Sequence, residues 1–259
     1  MKYKKILTFV TSMIFLSALI FCTVMATKIA EIDVDANTIT NSNENVLAVT
    51  TSVLEKYENK NIVFLNSKTV ASKIEQSSSY VKVLSVKKVF PNKLKVVIEE
   101  REELFCIQYN DEYFALDSEL KVLSKKQSNQ NNVDGYKNLL FKFNIADFDE
   151  NSLSVNKTLN FYDNQISSII NALSEKISAR RLNVSSVEFI SGSLGASVKR
   201  LVFTMTEGVK ITITNYDERL VDKIDCLLNF YDDLDNKGDT LNEYFVVIDS
   251  KTSNVVVTK

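Results

Sequence analysis

Histidine and tryptophan are absent from this sequence, proline occurs once, at Pro91, and glycine only five times. Without histidine, Ser-His-Asp and Cys-His nucleophilic catalysis are excluded, and so is the commonest zinc ligand. The scattered glycines exclude a P-loop and a dinucleotide fingerprint, which need them clustered. Scarce Gly and Pro also leave little material for flexible linkers. No excess of positive charge exists either. The net charge is -2, and Lys2, Lys4 and Lys5 crowd the N-terminus, so the remainder is more acidic still. A nucleic-acid partner, which requires a clustered basic surface, is not expected. Of the three cysteines, Cys22 lies in an apolar run, and Cys106 and Cys226 have apolar neighbours. The latter two either form one disulfide in an oxidising space or remain separate buried thiols.

What is present begins with an uncharged run, "ILTFVTSMIFLSALIFCTVMAT", at residues 6–27. As a helix rising ~1.5 Å per residue, it is long enough to cross a ~30 Å hydrocarbon core. Lysines precede it and Glu31, Asp33 and Asp35 follow it, so the positive-inside rule puts residues 1–5 in the cytoplasm and the rest outside. A cleaved signal peptide is the other reading, with Val24-Met25-Ala26 as the small-residue site. Signal h-regions of ~7–15 residues are shorter than this run, which favours a retained transmembrane helix. Phe21 beside Cys22 argues against a lipoprotein signal.

After this run the 259-residue chain has ordinary globular composition and room for one large domain or two modest ones. "IAEIDV" (29–34) alternates as a half-buried strand should. Asn41 or Asn43 is placed to cap a helix over "ENVLAVTTSVLEKY", with Val46, Val49, Val53, Leu54 and Tyr57 near one face. Ser67 begins a second helix, with Val70 and Ile74 inward. "VKVLSVKKVFPNKLKVVIEER" (81–101) then reads as a hairpin. Leu84, Val86, Lys88 and Phe90 share one side of its first strand, and Leu94, Val96, Ile98 and Glu100 one side of its second. Pro91, with fixed φ and no N–H, suits the turn. A three-stranded sheet with one apolar face must lay that face on the two helices.

From Leu104 the pattern changes to short strands, "LFCIQY", "YFALD" and "LKVLS", with a turn at Asp117-Ser118. "KKQSNQNNVDG" (125–135) reads as a surface loop and "LLFKFNIADF" as a further strand. Ile166, Ile169, Ile170, Leu173 and Ile177 mark a helix ending near Arg180-Arg181. Strands "LNVSSVEFI", "VKRLVFTMT" and "VKITITN" follow, separated by turns at Gly192 to Gly195 and at Glu207-Gly208. Asp217 is placed to cap a last helix with Val221, Ile224, Leu228 and Tyr231 inward, and "EYFVVID" and "NVVVTK" close the chain. The pattern predicts an α+β fold: an N-terminal transmembrane helix, a β-α-α-β-β domain, then a larger β-rich α+β domain whose last element is a strand.

Little here points to catalysis. Neighbouring acids in Glu99-Glu100-Arg101-Glu102-Glu103 would point to opposite faces of a strand, so the run reads as a solvated charged edge and not as a carboxylate pair. "DDLDNKGD" (232–239) imitates a calcium loop at Asp233, Asp235 and Gly238, but Lys237 stands at a ligand position and Tyr244 where the bidentate Glu is needed. No catalytic residue, metal site or cofactor is expected.

The layout resembles the FtsQ/DivIB family of bacterial cell-division proteins over nearly the full length. The hairpin carries the most specific likeness, through Val81, Leu84, Val86, Lys88, Pro91, Leu94, Val96, Ile98, Glu100 and Arg101. "ALDSELKV" resembles the family's strand turn with Asp117 kept, and "VVIDSKTSNVVV" its closing strands with Asp249 kept. Leu120 stands where the family often has Gly, Asp35-Ala36 replaces a Val-x-Gly, and Glu103 falls where a Pro often follows Glu-Arg. The resemblance implies a cytoplasmic tail at 1–5, a transmembrane helix at 6–27, a POTRA domain at 28–103 and a β-rich domain at 104–259. It further implies a non-catalytic divisome scaffold in the cytoplasmic membrane at the septum, binding proteins resembling FtsB (DivIC) and FtsL outside the cytoplasm. Septal peptidoglycan synthesis by FtsW and its transpeptidase would be regulated indirectly. β-Augmentation on the last strand, at Val255, Val256 and Val257, is the physical means expected. Family interaction positions fall near Lys251, Thr252 and Asn254, where the family's Arg and Tyr are missing. The alternative is an anchored or secreted POTRA-containing binding protein outside division.

Overall fold

The computed structural model describes residues 2–37, 45–127, 139–142, 147–163, 166–170, 173, 184–190, 200–206, 208–214, 224, 245–249 and 255–258. The chain divides into two compact units, Met1–Arg101 and Glu102–Lys259.

The first unit opens with α1 (Lys2–Ala26), of which Ile6–Ala26 is long and apolar enough to cross a membrane, with none of the residues in its apolar window buried by the protein. Thr8, Thr11, Ser17 and Thr23 each donate their hydroxyl to a carbonyl one turn back, so these four hydroxyls are satisfied within the helix, as an apolar surrounding demands. β1 (Glu31–Ala36), α2 (Val46–Glu55), α3 (Ser67–Ser77), β2 (Val81–Val89) and β3 (Lys93–Glu100) follow in the expected order. The sheet order is β1-β3-β2, with β1 parallel and β2 antiparallel to β3. Asn45 caps α2, its side chain accepting from Ala48 N–H at 3.0 Å, whereas Asn41 and Asn43 lie outside the described residues. Asn66 caps α3 through Lys68 N–H and Thr69 N–H. Val46, Leu54, Val70 and Ile74 bury the helices' inner faces against Leu94, Val96 and Ile98.

One hairpin residue departs from the expected face. A β-bulge between Val83 and Ser85 makes Leu84 an extra residue, 42% exposed, and Val81 and Val83 take the inner side before it. Val83 N–H at the bulge is satisfied by the Glu75 carboxylate of α3 at 3.0 Å. Lys88 does face inward, opposite Leu94, because its amine reaches the Val63 carbonyl at 3.2 Å in the α2–α3 connection. The Glu-Arg run is solvated only in part: Glu102 is exposed and Glu99 and Arg101 are half-buried, but two of its acids are not at the surface. Glu100 is 5% exposed on the inner face opposite Val81, and Glu103 is buried against Lys126 and Ser124. Alternation with the apolar residues of β3 carries Glu100 inward, and an ion pair stabilises Glu103 there.

The second unit is built on a nine-stranded sheet of β4 (Phe105–Tyr109), β5 (Glu112–Leu116), β6 (Val122–Lys126), β7 (Leu139–Lys142), β8 (Val184–Ile190), β9 (Arg200–Met205), β10 (Lys210–Thr214), β11 (Phe245–Asp249) and β12 (Val255–Thr258). Its order is β12-β11-β10-β9-β8-β7-β4-β5-β6. Neighbours are antiparallel except at β4–β7, β7–β8 and β10–β11. Parallel neighbours need long crossovers, which is why helical patterning occurs between β7 and β8 and between β10 and β11. In the first crossover residues 166–170 and 173 are helical, burying Ile166, Ile169, Ile170 and Leu173; in the second, Ile224 is helical and buried. Ile177, Arg180, Arg181, Asp217, Val221, Leu228, Tyr231, the Gly192–Gly195 turn and Cys226 lie outside the described residues. Lys125 and Lys126 belong to β6 and not to the loop read at 125–135, whose residues from 128 onward are not described. Cys106 is buried in β4.

Two turns show local sequence at work. Asn110 and Asp111, both at positive φ, join β4 to β5 in a two-residue loop, the conformation that short Asx side chains tolerate. At Asp117 the carboxylate accepts from Glu119 N–H and Lys121 N–H, both at 2.9 Å, and the turn holds Leu120 at φ 63°. Leu120 is nevertheless 5% exposed in the core. Left-handed backbone costs a non-glycine residue about 1–2 kcal/mol, while truncating a buried leucine costs about 2–5 kcal/mol. Packing wins, so Leu120→Gly should destabilise the protein by about 1–3 kcal/mol in urea unfolding despite relieving the backbone. A rise in stability would show that the side chain adds no packing.

Candidate functional site

The hairpin residues singled out from sequence are mainly structural. Val86 faces inward opposite Val96, and Leu94 is fully buried. Pro91 stands in the turn after a cis Phe90–Pro91 peptide. The neighbouring Asn92 carbonyl accepts from Ala30 N–H at 2.9 Å, tying the turn to the start of β1. Arg101 donates its N–H to the Tyr80 carbonyl at 2.8 Å, closing the unit.

What these residues position is a sheet with two margins. β2 carries the bulge at Leu84, a feature that discourages further pairing. β1 is regular. Glu31 and Asn37 direct their N–H groups to Asn92 and Ile98 beside β3, so by alternation the N–H and C=O groups of Ile32 and Val34 point away from the sheet. Their side chains line a groove of about 350 Å³ with Leu47, Thr51 and Leu54 of α2, rimmed by Glu55 and Glu58. On the opposite face Glu31 and Asp33 pair with Lys93 at 2.7 and 3.6 Å, and Asp35 with Lys95 at 3.6 Å. Hydrogen bonding to Glu31 raises the Lys93 pKa above its ordinary value. Sequence reading missed this groove, although exposed Leu47 on α2 beside the alternating "EIDV" was its signal.

The large sheet also has two margins, and they differ. β6 is covered along its first half by the chain itself: Val122 N–H donates to the Lys157 carbonyl and the Val122 carbonyl accepts from Asn156 N–H, both at 2.8 Å, with a further bridge from Lys121 to Thr158. β12 pairs only with β11 among the described residues, in the register Val246↔Val257, Val247↔Val256 and Ile248↔Val255. An edge strand directs alternate N–H and C=O groups outward, available to an added strand. Lys251, Thr252 and Asn254, and the acidic stretch 232–239, lie outside the described residues. No group of three or more His, Cys, Asp or Glu side chains among the described residues is placed to hold a metal ion.

Comparison with known proteins bears on the first unit. The family model of the FtsQ-type POTRA domain matches residues 27–101 of the 259, which span β1 to the end of the hairpin. No curated protein matches the chain. Residues 27–101 therefore form an FtsQ-type POTRA domain behind an N-terminal apolar helix, and over that stretch the chain is FtsQ/DivIB-like.

Proposed function

We propose that this protein is a non-catalytic scaffold of the division machinery, held in the cytoplasmic membrane by residues 6–27 with its N-terminus inside. Its extracytoplasmic domains bind partners resembling FtsB (DivIC) and FtsL at the septum, and through them regulate septal peptidoglycan synthesis by FtsW and its transpeptidase. The observation that carries this reading is the FtsQ-type POTRA domain directly behind the apolar helix, a family that is generally non-catalytic. The contact is β-augmentation on β12, at Val255, Val256 and Val257, with Lys251, Thr252 and Asn254 leading into it. The position of β12 at a sheet margin supports this assignment over β6, which the chain's own backbone covers.

Affinity capture of the full-length protein from its native membranes tests the reading. Small coiled-coil division proteins should be recovered, and a fluorescent fusion should gather at mid-cell. A fusion spread evenly around the cell would favour a POTRA-containing binding protein outside division. The anchor makes a separate prediction. If residues 6–27 are retained, the protein stays with membranes through alkaline extraction, whereas recovery of a shortened chain in the soluble fraction would mark a cleaved signal.

A further inference from the structure

α2 separates two grooves of opposite charge. The one beside β1 is rimmed by Glu55 and Glu58. The other, about 440 Å³ and shared with α3, is lined by Val53, Lys56, Tyr57, Lys60, Lys73 and Gln76. The Lys60 and Lys73 ammonium groups stand 4.7 and 5.8 Å from the centroid of the Tyr57 ring. Three like charges around one concavity repel each other, and an anion placed among them removes that repulsion.

The location of this groove names the anion. Asn61 donates its side-chain amide to the Thr27 hydroxyl at 2.8 Å and to the Val24 carbonyl at 3.3 Å, clasping the end of α1. Ile29 N–H donates to the Lys60 carbonyl at 2.9 Å, and Lys28 bridges to Asn61. At ~3.3 Å per residue, Ile29 lies at most about 10 Å beyond Ala26, where the apolar helix ends. That distance is comparable to the thickness of a headgroup layer. Lysine recognises phosphate as a compact point charge, and clustered lysines beside a membrane span are attracted to anionic lipid.

We propose that the groove formed by Lys56, Lys60 and Lys73 takes the phosphate of an anionic phospholipid headgroup in the leaflet where α1 emerges, holding the POTRA domain down on the membrane. The proposal rests on α1 being a membrane span, and the alkaline extraction above tests that separately.

The experiment places the full-length protein in nanodiscs of phosphatidylcholine, with or without phosphatidylglycerol, and follows lysine acylation by a water-soluble reagent with mass spectrometry. Phosphatidylglycerol should slow acylation of Lys60 and Lys73 by about fivefold or more, the worth of one lysine at an anionic surface. High salt should reverse the effect, and Lys87, exposed on β2, should be unaffected. In the double variant Lys60→Gln/Lys73→Gln, Lys56 should lose its lipid-dependent protection. Equal acylation in both lipids would mean that Tyr57 alone holds the amines, and would overturn the proposal. Equivalent slowing by inorganic phosphate in phosphatidylcholine discs would also overturn it, by making the groove a site for soluble anions.

Discussion

Proline placed in β12 should abolish partner capture while leaving the remainder of the large sheet folded. The two variants Val255→Pro and Val256→Pro are needed together. N–H groups of successive strand residues point to opposite sides, so one proline removes a donor from the outer margin and the other removes a rung shared with β11. In either case the ring also blocks a partner strand from running flush along the edge. Losing a continuous backbone ladder should weaken binding by two orders of magnitude or more, equivalent to at least about 2.8 kcal/mol. The eight strands from β11 to β6 do not depend on β12 for their mutual pairing, so strand content and the unfolding midpoint should change little. Capture of FtsB-like and FtsL-like partners at the wild-type level by both variants would remove β12 from the mechanism. The scaffold reading would survive that result, and the contact would have to move elsewhere.

Phe141→Ala should cost more stability than any other change considered. Phe141 lies on β7 in the middle of the nine-stranded sheet and is fully buried. Its ring meets Phe105 edge-on at 5.1 Å, and Phe189 lies 6.0 Å away on the other side. Truncating a buried phenylalanine costs about 3–5 kcal/mol, and an aromatic pair adds about 0.5–1.5 kcal/mol beyond area burial. Against a total stability of about 5–15 kcal/mol, a loss of about 4 kcal/mol lowers the urea midpoint sharply or unfolds the second unit outright. The POTRA unit shares no strand with this sheet and should keep its own transition. Phe141→Leu, which keeps most of the volume, should cost far less. A small and equal loss for both substitutions would mean that the aromatic cluster is not the keystone of this core.

How far the sequence could be read depended on the range of the interaction concerned. Local patterns were legible. The uncharged run placed α1, the four-residue spacing of Val70 and Ile74 placed α3, and period-two alternation around Pro91 placed the hairpin. The bulge at Leu84 was not legible, because it arises where Glu75 on another element takes the Val83 N–H. Burial of Glu103 likewise needs Lys126 and Ser124, which are remote along the chain and adjacent only across the fold. Leu120 illustrates both limits at once. Its departure from glycine was visible in sequence, but only the folded core explains why a leucine is held there at positive φ.

Composition and short-range periodicity alone settled that this chain has an apolar N-terminal helix, lacks histidine-based chemistry and contains a β-α-α-β-β domain, since each depends on residues within a few turns or strand steps of one another. Sequence spacing does not encode which strand of the large sheet becomes a margin, or that backbone from 156–158 covers β6 while β12, among the described residues, pairs on one side only. Strand order is decided by long crossovers and by which apolar faces meet, so the family resemblance implied an edge at the last strand, but the order that puts β12 beside β11 is read only from the folded structure.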